Sequence, residues 1–268
     1  MDGAAVLNPC SPGLPVLSAT HGKTSVAVDE MRGRCDNPEH PFGRSYSLHL
    51  RLIFRPPASG IPPANSRSRH CILAIAGVVL AAGRSRRMGS AKALLPFRGT
   101  TFVEQILQAL RDGGCDPLIL VVGQSPEHDR VAELARSLGV ATAINDDPES
   151  EQIDSLRIAL RTLPPECQGV IVTPVDVPLV SASLVDALIS VFHSSDRPLA
   201  LLEHGGRHGH PTLFGRTLFD ELLNPDLPDG ARGVVHAHLE NAALVQVNDP
   251  IVLMDVDTPE DFRRLEQR

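Results

Sequence analysis

The chain reads as an α/β layered protein with a mainly parallel sheet, on three observations. From Cys71 onward, apolar strand-like runs alternate with segments of helical periodicity, the pattern of successive strand and helix units. At 268 residues and 42% hydrophobic, the chain can bury one substantial core. The first seventy residues are different in kind, broken by Pro9, Pro12, Pro15, Pro41, Pro56, Pro57, Pro62 and Pro63 and filled with Ser and Arg. They show neither the strand nor the helix period, so residues 1–71 are expected to be a disordered extension and 72–268 the folded domain. Within the extension only the run 46–54 alternates, weakly, as an edge strand would.

The elements follow in order. A strand is expected at 72–80, where a β-branched apolar run ends in a small-residue loop. A helix at 102–113 leads to a strand at 117–122, which closes in Val121-Val122-Gly123-Gln124. No acid stands there to hold a ribose, which removes a dinucleotide fold, and the first loop has no G-x-G-x-x-G. A helix at 127–138, a strand at 141–145 and a helix at 152–163 come next. The strand at 170–174 is apolar and is followed at once by Asp176, between Pro174 and Pro178. Helix 183–192, strands 199–203 and 210–214, helices 216–223 and 231–239 and strands 244–247 and 251–256 continue the series. The last helix, 259–266, has the clearest start: Thr258 as N-cap, Pro259 at the first position and two acids in the first turn. Ligands of open α/β sheets sit beyond the carboxyl ends of the strands, which sets the loop 80–92, Asp176 and Asp257 along one rim.

That loop carries the strongest chemical signal. Gly77-Val-Val-Leu80-Ala81-Ala82-Gly83-Arg84-Ser85-Arg86-Arg87-Met88-Gly89-Ser90-Ala91-Lys92 passes from an apolar run into a loop with three arginines and a lysine. Only Lys23 and Lys92 are lysines among the 25 basic residues. An ammonium is a compact point charge that fits among phosphate oxygens, where a planar guanidinium imposes a fork. Gly83 and Gly89 let backbone N–H groups approach an anion. The reading is a triphosphate site, although G-x-x-x-x-G-K-[ST] is absent. Asp176 suits a magnesium ligand, since that ion takes hard oxygens, and suits equally an Asp that caps a turn.

The loop resembles the opening motif of the MobA-like nucleotidyltransferases, L-A-[AG]-G-x-S-x-R-M-G-x-x-K. Leu80, Ala81, Ala82, Gly83, Ser85, Arg87, Met88, Gly89 and Lys92 meet its fixed positions. The resemblance runs over roughly residues 74 to 264 and implies a three-layer nucleotidyltransferase (Rossmann-like) fold with a mainly parallel mixed sheet. It implies nucleotide binding by Leu80, Ala81, Ala82, Gly83, Ser85, Gly89, Lys92, Ser155 and Asp176, with Arg87 and Lys92 catalytic. Val175-Asp176-Val177-Pro178 is similar to the family's D-x-P metal motif, and Asp255-Val256-Asp257-Thr258-Pro259-Glu260-Asp261 to its closing D-x-D-T-P-E-D. Asp176 and Asp257 are then the expected Mg²⁺ ligands. Asp255 would satisfy backbone donors instead, and Asp261 would be a first-turn helix charge.

The run from Asn145 to Leu156 resembles the family's N-P-x-x-x-x-G-x-x-S-S-L, except that Gln152 or Ile153 stands for its glycine and Asp154 for its first serine. A carboxylate at Asp154 would disfavour a nucleotide unless it accepted from the base or sugar. Gly209, Pro211 and Phe214 match G-x-P-x-x-F, and 229–232 resembles G-D-x-G-A-R; together they make Arg207, His210 and Arg232 the expected acceptor-binding residues. The H-x-x-x-H-x-H spacing of His204, His208 and His210 also admits zinc, but no Cys stands nearby and unclustered histidines on loops are usually solvated.

Charge narrows the function classes. Residues 1–71 carry a net +3 and the remainder a net −10, within an overall −7, and an acidic body argues against nucleic-acid binding. The five cysteines are scattered without a C-x-x-C pair, which points to a reducing cytoplasm. No apolar run reaches the ~18 residues of a membrane span, so no membrane partner is expected.

The resemblance therefore implies transfer of CMP from CTP to the phosphate of molybdopterin, with pyrophosphate released and Mg²⁺ required. CTP is expected because Ala82 stands where the guanylyl branch usually has glycine and no Asp precedes Lys92. Guanylyl transfer, another acceptor such as a sugar phosphate or isoprenoid precursor, and a non-catalytic molybdenum-cofactor carrier are the alternatives; Lys92 and Asp176 argue against the carrier. A molybdenum enzyme or its maturation factor is the expected protein partner.

Overall fold

The computed structural model describes residues 50–53, 74–83 and 91–267. The elements are β1 (Leu50–Ile53), β2 (Ile75–Ala81), β3 (Pro96–Phe97), β4 (Thr100–Thr101), α1 (Phe102–Asp112), β5 (Leu118–Val122), α2 (Pro126–Ser137), β6 (Ala141–Ile144) and α3 (Gln152–Thr162). Then come β7 (Gly169–Pro174), α4 (Ala182–His193), β8 (Leu199–His204), β9 (Arg207–Gly215), α5 (Phe219–Leu223), α6 (Gly230–His238), β10 (Ala242–Val247) and α7 (Pro259–Glu266).

Eight strands form one sheet in the order β1-β10-β8-β9-β7-β2-β5-β6. β9 runs antiparallel to both neighbours and β1 antiparallel to β10; every other pairing in this sheet is parallel, and β3 and β4 form a separate antiparallel pair. The mixed, mainly parallel sheet expected from the sequence is present.

Period-two alternation sorts the strand residues into two faces. Ile75, Val79 and Ala81 of β2 face one core with α1, α2 and α4, represented by Ile106, Leu110, Val131, Leu184 and Leu188. Ala76, Val78 and Leu80 face the other, with Ile153, Leu156 and Leu160 of α3, Leu222 of α5 and Val234 of α6. Helices on both faces make three layers. A smaller cluster of Phe97, Phe102, Leu179, Val256 and Leu265 seats α7 at the rim.

Two elements differ from expectation. The expected strand at 251–256 is a 3-10 turn at Pro250–Leu253 followed by an extended, unpaired segment. Asp249 caps the turn by accepting from the Ile251 N–H, and Pro250 at its first position presets the backbone, so local capping prevails over the apolar run Ile251-Val252-Leu253. The helix expected at 216–223 divides into a 3-10 turn at Arg216–Leu218 and the short α5. Of the N-terminal extension, only Leu50–Ile53 is described, paired with Val247 to Leu244 along the sheet edge, within the run whose alternation suggested such a strand. The disorder expected for the rest of 1–71 concerns residues outside the described ones.

Candidate active site

β2 is where the topology reverses: the chain builds outward through β5 and β6, then returns to lay β7 on the other side of β2. Such a switch point opens a crevice beyond the strand ends. Leu80 pairs with Pro174 across β2 and β7, and the Val175 N–H donates to the Leu80 carbonyl at 3.0 Å. Ala81-Ala82-Gly83 and Asp176 therefore leave the sheet side by side. The Val256 N–H donates to the Asp176 carbonyl at 2.8 Å, which brings the C-terminal segment alongside and turns Asp257 to the same rim.

The cleft so formed has a volume of about 490 Å³ and is lined by Leu80, Ala81, Ala82, Gly83, Lys92, Ser155, Asp176 and Asp257, together with the exposed acids Asp147, Glu149 and Glu151. Lys92 stands between the two carboxylates, its Nζ 2.5 Å from Asp257 Oδ1 and 3.4 Å from Asp176 Oδ2. Burial pushes the Asp176 carboxyl above its ordinary range even though Lys92 pulls it down, and Asp257 and Asp255 add to the rise. Two carboxylates converging on one ammonium form a hard-oxygen set already holding a cation. Asp255 is exposed and does not line the cleft. Of the other expected site residues, Ser85, Arg87 and Gly89 lie outside the described residues.

Asn145 organises the loop across the cleft. It is 4% exposed, and its side-chain NH₂ donates to Ser150 Oγ and Ser155 Oγ, each at 2.8 Å, while its Oδ1 accepts from the Asp147 N–H. Ser155 thus enters the cleft already tied to Asn145. Asp154 does not face the cleft. Its carboxylate accepts from the Glu151 N–H at 3.0 Å and pairs with Arg157 at 2.8 Å, and it lines neither pocket. Asn145 was legible as the first residue of its loop pattern; Ser150 and Glu151 carried no signal of their own.

A second pocket, of about 590 Å³, adjoins the first and shares Leu80, Glu151, Gln152 and Pro174 with it as a common wall. Arg207, His210 and Arg232 line it together, joined by His236 and Asp229. Arg232 both lies in the first turn of α6 and faces the pocket. His210 is half-buried, and the loss of water around its ring holds its imidazole below the ordinary range despite the nearby Asp176 and Asp255 carboxylates. Arg207 and Arg232 supply the fixed positive charge of this pocket. His204 and His208, the other two of the H-x-x-x-H-x-H spacing, are occupied elsewhere: His204 Nδ1 meets the Val247 carbonyl at 2.8 Å and His208 stands 3.5 Å from Glu203. Gly209 has its own reason to be glycine, since a Cβ there would lie 1.9 Å from the Val252 carbonyl oxygen. No helix among the described residues is long and apolar enough to cross a membrane.

Comparison with known proteins supplies the lineage. A molybdenum cofactor guanylyltransferase of Xanthomonas euvesicatoria pv. vesicatoria (strain 85-10) is 35% identical over 201 residues, covering 70% of this chain and 93% of the relative. The molybdenum cofactor cytidylyltransferase of Escherichia coli (strain K12) is 26% identical over 199 residues, covering 73% and 97%. Among solved structures, Rv0371C of Mycobacterium tuberculosis H37Rv in complex with manganese superposes with a TM-score of 0.59 at 31% identity, over 73% of this chain and 98% of that one. The model of the MobA-like NTP transferase domain matches residues 77–259, so this chain, with Leu80 to Gly83 at the switch point of the sheet, belongs to the MobA-like NTP transferases and is a nucleotidyltransferase.

Proposed function

We propose that the enzyme transfers CMP from CTP to the phosphate of molybdopterin and releases pyrophosphate, with Mg²⁺ bound. The observation that carries this reading is the pair of pockets sharing one wall. One side presents Lys92, Asp176 and Asp257, and the other presents Arg207 and Arg232. A triphosphate on the first side and a phosphorylated acceptor on the second meet across Leu80 and Pro174.

The acceptor phosphate oxygen attacks the α-phosphorus in line, the bond to the bridging oxygen breaks, and pyrophosphate leaves. No side-chain nucleophile takes part, so catalysis is positioning and charge neutralisation. Mg²⁺, held by Asp176 and Asp257, would neutralise charge on the α- and β-oxygens. Two carboxylates suit an ion that takes one or two from protein and fills its shell with water and phosphate oxygens. Among the described residues no group of three His, Cys, Asp or Glu forms an all-protein cage, which such an ion does not need. Lys92 transfers its charge from the carboxylates to the leaving pyrophosphate, a task that the opening motif gives to Arg87 as well. Arg207 and Arg232 hold the acceptor, and the backbone of Ala81, Ala82 and Gly83, with Ser155 across the cleft, holds the nucleoside. A molybdenum enzyme or its maturation factor then receives the product.

Ala82 favours CTP, because its methyl narrows the base site where glycine would leave room for a purine. The 35% identity to a protein named as a guanylyltransferase favours the second reading, GTP. Pyrophosphate release measured with four nucleotides, with and without molybdopterin, separates them. CTP is expected to win in kcat/KM, and Ala82→Gly to narrow its lead by roughly ten- to a hundredfold, the worth of one relieved methyl clash. A wild-type preference for GTP would overturn the cytidylyl reading, and no release with any nucleotide would overturn the transfer itself.

A further inference from the structure

Arg157 is an arginine buried to 8% exposure on α3, it lines neither pocket, and no step of the transfer uses it. Its guanidinium spends donors in three directions. Nε donates to the Leu222 carbonyl at 3.1 Å, the second terminal nitrogen donates to the Asn224 carbonyl, and the first pairs with Asp154 Oδ1 at 2.8 Å. Leu222 lies near the end of α5, and Asn224 is its C-cap. The carbonyls at a helix end lack intrahelical partners, and a cation there satisfies both their hydrogen-bonding need and the local dipole.

What Arg157 joins gives the arrangement its meaning. On one side, Asp154 closes the first turn of α3 by accepting from the Glu151 N–H, and Glu151 and Gln152 of that turn border both pockets. On the other, Asn224 opens the loop that leads to Asp229, Gly230 and α6, which carries Arg232 and His236 into the acceptor pocket. The two sides touch a second time where Gly230, in the left-handed region at φ +54°, leaves only 3.2 Å between a would-be Cβ and Ile153 Cβ. Lysine could carry the charge at position 157, but only a planar fork reaches two carbonyls and a carboxylate together.

We infer that Arg157 is a positioning residue that couples the nucleotide-facing turn of α3 to the loop 224–229 and α6, so that filling the donor cleft orders the acceptor wall. This rests on the reading of the two pockets as donor and acceptor sites. Nucleotide on the loop 145–155 settles the turn at Glu151. Asp154 and Arg157 pass that settling to the carbonyls of Leu222 and Asn224. The acceptor arginine on α6 is then held ready, giving ordered binding in which nucleotide precedes acceptor.

Hydrogen exchange of the full chain with and without CTP and Mg²⁺ tests the coupling, with Arg157→Lys and Asp154→Asn as variants. In the wild type, CTP is expected to slow exchange over 145–155 and, by about fivefold, over 224–238. In Arg157→Lys the first protection stays and the second falls away, and acceptor KM rises about tenfold while CTP KM stays within about threefold. Asp154→Asn, on a partly exposed side chain, gives the same split without opening a buried site. It decides the matter should Arg157→Lys fail to fold. Protection over 145–155 with none over 224–238 in the wild type, or undiminished protection over 224–238 in the variants, would overturn the coupling alone. No protection anywhere with CTP or GTP would overturn the donor-site reading and the coupling with it.

Discussion

Lys92 between Asp176 and Asp257 is the feature on which the proposed chemistry turns. An ammonium 2.5 Å from one carboxylate and 3.4 Å from the other offsets the repulsion between two acids that the fold brings to one rim. On the proposed mechanism, Lys92→Met is expected to lower turnover by roughly 10²-fold, since it removes the charge assigned to the leaving group, while leaving both carboxylates open to a metal. Manganese titration followed by electron paramagnetic resonance should show tighter binding without nucleotide in this variant than in the wild type; equal or weaker binding would mean that the lysine does not compete for the site. Asp176→Asn tests the other member. Burial raises this carboxyl in spite of Lys92, so its contribution to stability is greatest in acid and falls as pH rises through the raised value. At pH 7 the charge is a net cost to the fold. The variant should hold or gain thermal stability at pH 7 while turnover falls by roughly 10²-fold, and a clear drop in Tm would show that the pair with Lys92 outweighs the desolvation.

The elements show how a site is assembled from pieces with unlike rules. Gly209 of β9 passes beneath the Val252 carbonyl of the turn Pro250–Leu253, and that turn leads into the segment carrying Asp257. Gly209→Ala has no room at 1.9 Å from a backbone oxygen, so the turn must move. Overpacking of this kind costs about 1 to 3 kcal/mol. Thermal unfolding should register it as a loss of several degrees, and Mn²⁺ affinity should fall with it; an unchanged affinity would mean that the turn does not set the position of Asp257. The same neighbourhood shows what the sequence can and cannot say. β2, β5, β7 and the capped start of α7 were legible, because apolar runs and the Thr258-Pro259 start depend on local pattern. The capping box that opens α7, Thr258 accepting from the Asp261 N–H and Asp261 from the Thr258 N–H, makes Asp261 a structural acid, as its first-turn position implied. The turn at Pro250–Leu253 was not legible as such, since Ile251-Val252-Leu253 has the composition of a strand and only the cap at Asp249 decides otherwise. Asp154 was legible as a departure from the loop pattern, but not its resolution, because Arg157 and the carbonyls that fix it are contacts between elements distant in sequence.

At the scale of the whole molecule, the sheet separates the site from its own edge. The crevice lies between β2 and β7, and β10 stands beyond β9 and β8, with β1 closing it off from solvent. β10 buries Ala242, Ala243, Val245 and Val247 against the core, so it is a strand whose apolar faces are spent and whose outer hydrogen-bonding edge is met by Leu50–Ile53. Edges of this kind pair with other chains when uncovered. Two truncations should therefore differ. Removing residues 1–49 spares β1 and is expected to leave both activity and solution state unchanged. Removing residues 1–73 takes β1 away and opens the β10 edge, while the crevice, separated from β10 by β8 and β9, keeps its residues. Activity per folded molecule should then hold within about twofold, while light scattering after gel filtration reports self-association that grows with concentration. A second truncation that stays monomeric would show that β1 is dispensable as a cover. One that loses activity in proportion to neither aggregation nor unfolding would show that the extension reaches the site, and would place part of the acceptor chemistry outside residues 77–259.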